Sequence, residues 1–240
     1  MKYAAIRVHL DMRFVALCLL IVCTCAAKAQ SGFIRAGIQT GIASVGLKGD
    51  PNLDIFLERD LRPLIGPAIW VPMKNNRAFR AQLLYCQKGS KGVLPLFNED
   101  GDPLGFFQTD IRFNYLSLPL LFEKAWGKRL QFCIGIGTYL GLMLNQRTEY
   151  NDLISGESFS DNSTAPYVPW DGGLVLGTGL RFNAGKRIHF CLDMRGEWGV
   201  ANVASKPVLF SQIVRQSANQ VMLGFYYAPS KRAGQTRGLW

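Results

Sequence analysis

Strict two-residue alternation along seven stretches, glycine on the face opposite the apolar one, and connections that alternate long with short together predict one all-β unit. The predicted form is a single closed, antiparallel, eight-stranded transmembrane β-barrel with short periplasmic turns and long external loops. The chain has 240 residues, 48% hydrophobic, 12% aromatic and 18% charged, with 25 glycines. That suits one sizeable ordered domain and excludes disordered or collagen-like chains. The longest apolar run, Phe14 to Cys25, has 12 residues broken only by Thr24, too few to cross a bilayer as a helix.

Residues 1–29 read as an export signal rather than as fold. Lys2, Arg7 and Arg13 supply the positive region, Phe14 to Cys25 the apolar core, and Ala27-Lys28-Ala29 the small-x-small cleavage pattern, leaving the barrel over 30–240. No small residue precedes Cys18, Cys23 or Cys25 as a lipid-anchored cleavage site needs. Without the leader, 23 basic and 16 acidic residues remain, a net charge of +7. The surplus is spread along the chain with no basic stripe interleaved with aromatics, which argues against nucleic acid and for a surface facing an anionic envelope. Cys86, Cys133 and Cys191 remain, an odd number without metal-ligand spacing; buried thiols are favoured over a disulfide.

The clearest strand is Leu130 to Asn145. Leu130, Phe132, Ile134, Ile136, Leu140, Leu142 and Leu144 fall on one face, and Gln131, Gly135, Gly137, Gly141 and Asn145 on the other. The same pattern recurs over 34–42, 79–86, 116–122, 174–182, 188–195 and 221–227, and a weaker strand runs from Ile65 to Met73 with Pro67 and Pro72 near its ends. Eight strands close in two ways, as a soluble ligand-binding barrel with its apolar face inward or as a membrane barrel with that face toward lipid. The second face decides. It carries Gly37, Gly41, Gly177, Gly179 and Gly224 among Arg, Gln and Asn, where a water-facing strand would carry Lys, Glu and Thr. Glycine suits the crowded inside of a narrow barrel, so the apolar face points outward.

The connections agree. Lys74 to Ala78, Ala125 to Lys128 and Ala184 to Arg187 are short, whereas Gly46 to Leu64, Gly89 to Ile111, Gln146 to Gly172 and Gly199 to Ala218 are long. This places both termini on the periplasmic side. Trp70, Phe79, Phe122, Phe132, Phe182, Phe190, and Phe225 or Tyr227 then share one height as an outward aromatic belt near the short turns, with Trp198 the clearest member of a thinner external belt.

Three segments carry a family resemblance: Leu83-Leu84-Tyr85-Cys86-Gln87-Lys88-Gly89, then Asn114-Tyr115-Leu116-Ser117-Leu118-Pro119-Leu120-Leu121-Phe122-Glu123, then Phe132 through Gly141. Together with Asp171-Gly172-Gly173 through Gly179 and the closing Leu223-Gly224-Phe225-Tyr226-Tyr227, their order and spacing resemble PorT-like outer-membrane β-barrel proteins of Gram-negative bacteria across nearly all of the mature chain. Two features depart from the family: Ser117 stands where members commonly carry an acidic residue, and the chain runs past its last strand to Trp240. The resemblance implies a barrel in the outer membrane, assembled by the barrel-assembly machinery, and a role in a secretion or adhesion assembly.

The candidate site residues are the lumen set Arg35, Gln39, Arg80, Gln82, Lys88, Glu123, Arg181, Asp193, Arg195 and Glu197, whose charges must pair across the interior because unpaired burial costs several kcal/mol. A plugged core is favoured over a solute path, since eight strands leave room for little besides side chains. No enzyme is expected: an acyl-transfer site wants a His at the external rim, and His189 lies two residues past a periplasmic turn. Gly135 to Gly141 sits within a strand and is one residue too long for a dinucleotide fingerprint. No cofactor or metal is expected; the carboxylates of Asn98 to Pro103 and Glu149 to Asp161 match no calcium loop. Expected partners are outer-membrane lipid and lipopolysaccharide, the assembly machinery and an envelope protein. The expected function is that of a non-enzymatic integral barrel acting through its loops or that partner; an assembly component, a narrow solute pore and a soluble lipocalin-like carrier stay open.

Overall fold

In the computed structural model, residues 34–49, 57–97, 103–153, 155–164, 167–185, 187–205 and 213–229 are described. The leader, the segment 98–102 and the tail after Pro229 lie outside them. The strands are β1 (Arg35–Lys48), β2 (Leu57–Glu58), β3 (Asp60–Met73), β4 (Arg77–Gln82), β5 (Leu84–Phe97), β6 (Pro103–Gly127), β7 (Leu130–Asp152), β8 (Ser158–Asp161), β9 (Trp170–Asn183), β10 (Ile188–Gly199) and β11 (Arg215–Tyr227). Every pairing is antiparallel. β4 and β5 follow one another as a single stave, so the ring runs β1, β3, β4 with β5, β6, β7, β9, β10, β11 and back to β1, eight staves in all. Closure runs from Ala36 opposite Tyr227 to Lys48 opposite Arg215. A closed ring leaves no unpaired strand edge, the condition for sheet to cross hydrocarbon.

Two prolines explain why one stave is interrupted at Leu83. Leu83 donates to the carbonyl of Pro67 at 3.0 Å, and Pro67 has no N–H to return the bond. On the other side, the register linking Ala81 to Leu120 and Leu84 to Ser117 sets Pro119 opposite Gln82. The β3–β4 turn places Asn75 and Asn76 at φ 60° and 54°, a left-handed conformation that asparagine tolerates, and Arg77 N–H donates to Lys74 O at 3.4 Å.

Apolar side chains cover the outside. Ile38, Ile134, Leu176 and Leu223 are exposed, as is Ile136 at 64%, while their neighbours Gln39, Cys133, Val175 and Met222 are buried. Inside, small residues admit large ones. A Cβ on Gly179 would overlap the Asp193 carboxylate, and one on Gly224 would overlap the Cys191 sulfur and lie 2.9 Å from Gln39 Cγ. These glycines are lumen clearances, which offsets their poor strand propensity.

Strands extend beyond the segments that the alternation marks. β6 and β7 have 25 and 23 residues and pair from Gly127 opposite Gln131 to Phe107 opposite Asp152, about twice what a bilayer requires. The connection expected over Gly89 to Ile111 is therefore mostly strand, and β7 with β8 takes up much of Gln146 to Gly172. Beyond lipid the outward positions no longer need to be apolar, so hydrogen-bonded sheet continues without the alternating pattern. A bulge at Leu144, where the partner shifts between Asn114 and Tyr115, reverses the facing and turns Gln146 and Thr148 inward.

Candidate functional site

The lumen is filled in layers. Nearest the periplasmic turns, Glu123 on β6 accepts from Arg80 of β4 at 2.7 Å, from Arg181 of β9 and from the Trp70 indole N–H of β3 at 3.2 Å. Arg80 also pairs with Asp193 of β10, whose Oδ2 accepts from Gln39 Nε2 of β1 at 2.6 Å. Higher up, Lys88 of β5 lies 2.9 Å from Asp171 of β9 and 3.5 Å from Glu197 of β10. Tyr139 donates to Asp171 at 3.0 Å, and the Lys88 ammonium stands 4.1 Å from its ring centre. Arg195 donates to Gln220 at 2.6 Å and to Gln82, with Glu197 at 4.0 Å. Arg80 and Arg181 pair with Glu123 and Asp193, and Lys88 and Arg195 with Asp171 and Glu197, so mutual pairing offsets desolvation that would otherwise cost several kcal/mol per ion.

Above the charged layers the interior turns apolar. Val45, Leu47, Leu64, Ile111, Phe113, Tyr167, Val203 and Val214 belong to one buried cluster, and Phe113 meets Tyr167 edge to face at 4.8 Å. Tyr167 and Val203 belong to the connections that follow β8 and β10, so loops dip inward and stopper the external mouth.

The lumen set predicted from the sequence is brought together: Gln39, Arg80, Gln82, Lys88, Glu123, Arg181, Asp193, Arg195 and Glu197 are buried, and Arg35 is half-buried 4.0 Å from the Trp70 ring. In the aromatic set, Phe122, Phe132, Phe182, Phe190, Phe225 and Tyr227 are exposed on the outer wall; Phe182, Phe190 and Phe225 are successive cross-strand partners. Phe79 has the outward facing but is covered, at 9% exposed.

Trp70 is the correction. It points into the lumen, 7% exposed, where its N–H reaches Glu123 and the guanidiniums of Arg35 and Arg181 come within 4.0 and 4.1 Å of its ring. An indole N–H facing lipid would lack an acceptor, whereas here it has a carboxylate. Alternation reads β3 the wrong way because Leu64 and Ile65 put apolar residues on both faces. Sequence reasoning also passes over Asp171, Tyr115 and Tyr139. Asp171 has the same parity as Val175, Gly177, Gly179 and Arg181, a signal visible once that strand is continued outward.

The three described cysteines are free and buried, and His189 lies 2.6 Å from Asn183 Oδ1 at the periplasmic end. Among the described residues no group of three or more His, Cys, Asp or Glu is arranged to hold a metal ion.

A second cluster of charges stands on the external extension. Arg112 donates to Asp110 at 2.6 Å and to Glu149 at 3.0 Å; Arg62 also holds Asp110, and Lys91 lies 3.2 Å from Asp60. Asp110 is twelve residues beyond Phe122, outside a span of about 9–11 residues. Burial alone would raise its carboxyl, but hydrogen bonds from Arg112 and Arg62 outweigh that and hold it below its usual range. A depressed carboxylate contributes stability that is fully present above the unfolded value of about 3.9 and is lost as pH falls through the folded one. Hydrogen-exchange protection of residues 107–112 and 147–151 is therefore expected to hold from neutral pH to about 5 and to fall below about 3.9, with β9 to β11 unchanged. Equal protection across that range would contradict the assignment.

A closed ring with an apolar wall and an ion-paired interior defines an integral membrane β-barrel. The model of the family described as outer membrane protein beta-barrel domain matches residues 28–205, more than half of the chain, and the chain belongs to that family. No curated protein matches it in sequence. Among solved structures it is similar to neisserial surface protein A at 10% identity, covering 81% of this chain and 97% of that one with a TM-score of 0.44. It is also similar to OprG from Pseudomonas aeruginosa, at 12% identity over 83% and 97% with a TM-score of 0.41. A third is Ail of Yersinia pestis, solved with the heparin analogue sucrose octasulfate, at 16% identity over 81% and 98% with a TM-score of 0.39.

Proposed function

We propose that this outer-membrane barrel is a closed, non-enzymatic one that acts from its external surface on an envelope partner rather than by passing solute. The observation that carries this reading is the filled lumen: Lys88, Tyr115, Tyr139, Phe113, Ile111 and Met222 are all fully buried along it. The external extension favours the partner. Phe106 and Phe159 are exposed there, and Phe159 stacks on Tyr150 at 4.7 Å and meets Phe107 edge to face at 5.9 Å. Such exposed aromatic surface beyond the bilayer suits a protein contact. Within the family, the likeness of residues 83–89 and 114–123 to PorT-like members supports an assembly component as the kind of partner. Export behind residues 1–29 into a Gram-negative outer membrane completes the reading.

Two measurements test it. Purified protein in planar bilayers is expected to give no stepwise conductance, and a steady channel would overturn the closed-barrel part. A photo-crosslinker at Phe159 is expected to capture an envelope protein in native membranes. Failure there, with capture only at a lipid-facing control such as Leu176, would overturn the partner part.

A further inference from the structure

Two grooves lie one above the other on the outer wall where β1, β9, β10 and β11 meet. The lower, about 520 Å³, has walls of Ile42, Leu176, Met194 and Val221 over a floor of Thr178 and Gly196. Its upper end is marked by Trp198, whose ring lies across Gly196 so closely that a Cβ there would come within 2.6 Å of it. The upper cleft, about 200 Å³, is lined by Lys48, Trp198, Ile213, Arg215 and Ser217.

Charge distinguishes the two. Lys48 and Arg215 are direct register partners, a like-charge pair that a strand ladder disfavours unless something negative lies between them. Arg59 reaches the same place across β1 and β11, donating to Ser44 Oγ and Ser217 Oγ at 3.0 Å each; Ser44 lines the lower groove and Ser217 the upper. Among the described residues none of these three cations forms an ion pair. The Arg59 guanidinium is thus held in place by two neutral hydroxyls and the Ser44 carbonyl, with no carboxylate beside it among the described residues.

Depth identifies the occupant. Trp198 is eight residues past Phe190 on β10, a rise of about 27 Å along the strand and roughly 20 Å along an axis tilted by about 40°. The apolar band of such barrels is about 25 Å tall, so the three cations sit at the outer headgroup level and the lower groove at acyl depth. We propose that this wall binds one phosphorylated, acylated glycolipid of the outer leaflet. Lys48, Arg59 and Arg215 hold its phosphate, and an acyl chain lies below Trp198 between Ile42, Leu176 and Met194. Tryptophan at this boundary suits contact with both ends of such a lipid. The site is separate from the external extension and rests only on the outer-membrane reading.

The test uses the full mature chain folded in detergent, with binding read by native mass spectrometry. Probes are lipid A, dephosphorylated lipid A, phosphatidylglycerol and inorganic phosphate. Lipid A is expected to bind at least about tenfold more tightly than its dephosphorylated form or inorganic phosphate. The triple variant Lys48→Gln, Arg59→Gln, Arg215→Gln is expected to lose about tenfold or more, and Thr178→Trp, which fills the lower groove, a comparable factor. Dephosphorylated lipid A, phosphatidylglycerol or phosphate alone matching lipid A would overturn the proposal, as would either variant binding like the parent. Heat-modifiable migration of each protein on a gel separates the two failures. Folded protein that ignores lipid A overturns the site alone, while protein that never shows the folded band overturns the barrel.

Discussion

Replacing Glu123 with alanine is expected to destabilise the folded barrel by about 3–5 kcal/mol, the cost of leaving buried charges without a partner. Glu123 is the common acceptor for Arg80, Arg181 and the Trp70 indole. Arg80 would keep Asp193, but Arg181 would lose its one carboxylate partner among the described residues and Trp70 its acceptor. Urea titration of the heat-modifiable band measures the loss. Glu123→Gln retains the acceptor oxygen for Trp70 while removing the charge, and is expected to fall between alanine and the parent. A Glu123→Ala change of less than about 1 kcal/mol would mean that the ion pairs contribute nothing net.

Lys88→Met is expected to cost a similar amount, for the opposite reason. Among the described residues it leaves Asp171 buried without a cation, while Glu197 keeps Arg195 at 4.0 Å. Because a buried ion pair can be exchanged for apolar residues with little net cost, Lys88→Met combined with Asp171→Leu is expected to recover most of the loss. The double variant also removes the acceptor of the Tyr139 hydroxyl, so recovery stops short of the parent by about 1 kcal/mol. A double variant as unstable as the sum of its singles would indicate that Lys88 acts through packing rather than charge.

These layers explain what the sequence makes legible. Where a strand crosses lipid, one face must be apolar and the other must fit a narrow interior, so Ile134, Ile136, Leu176 and Leu223 against Gly135, Gly177 and Gly224 declare their directions without any structure. That rule carries the barrel and the lumen set. It fails on β3, where Leu64 and Ile65 are both apolar and Trp70 is drawn inward by Glu123 near the end of β6, 53 residues away in sequence, a partner no local pattern displays. It fails again beyond lipid, where β6 and β7 continue as sheet with Asp110, Arg112, Arg147 and Glu149 outward. The Leu144 bulge compounds this by reversing inside and outside. Arg59 was invisible for a third reason: its hydroxyl partners, Ser44 and Ser217, come from the two strands that close the ring.

The direct test of the barrel's orientation is quenching of tryptophan fluorescence by brominated acyl chains, with single tryptophans introduced into an otherwise tryptophan-free chain. Ile136→Trp and Leu223→Trp, at positions 64% and 62% exposed on the outer wall, are expected to be strongly quenched, and Tyr115→Trp and Tyr139→Trp in the lumen to be unaffected. Quenching at the tyrosine positions with none at Ile136 and Leu223 would contradict an apolar face turned to lipid.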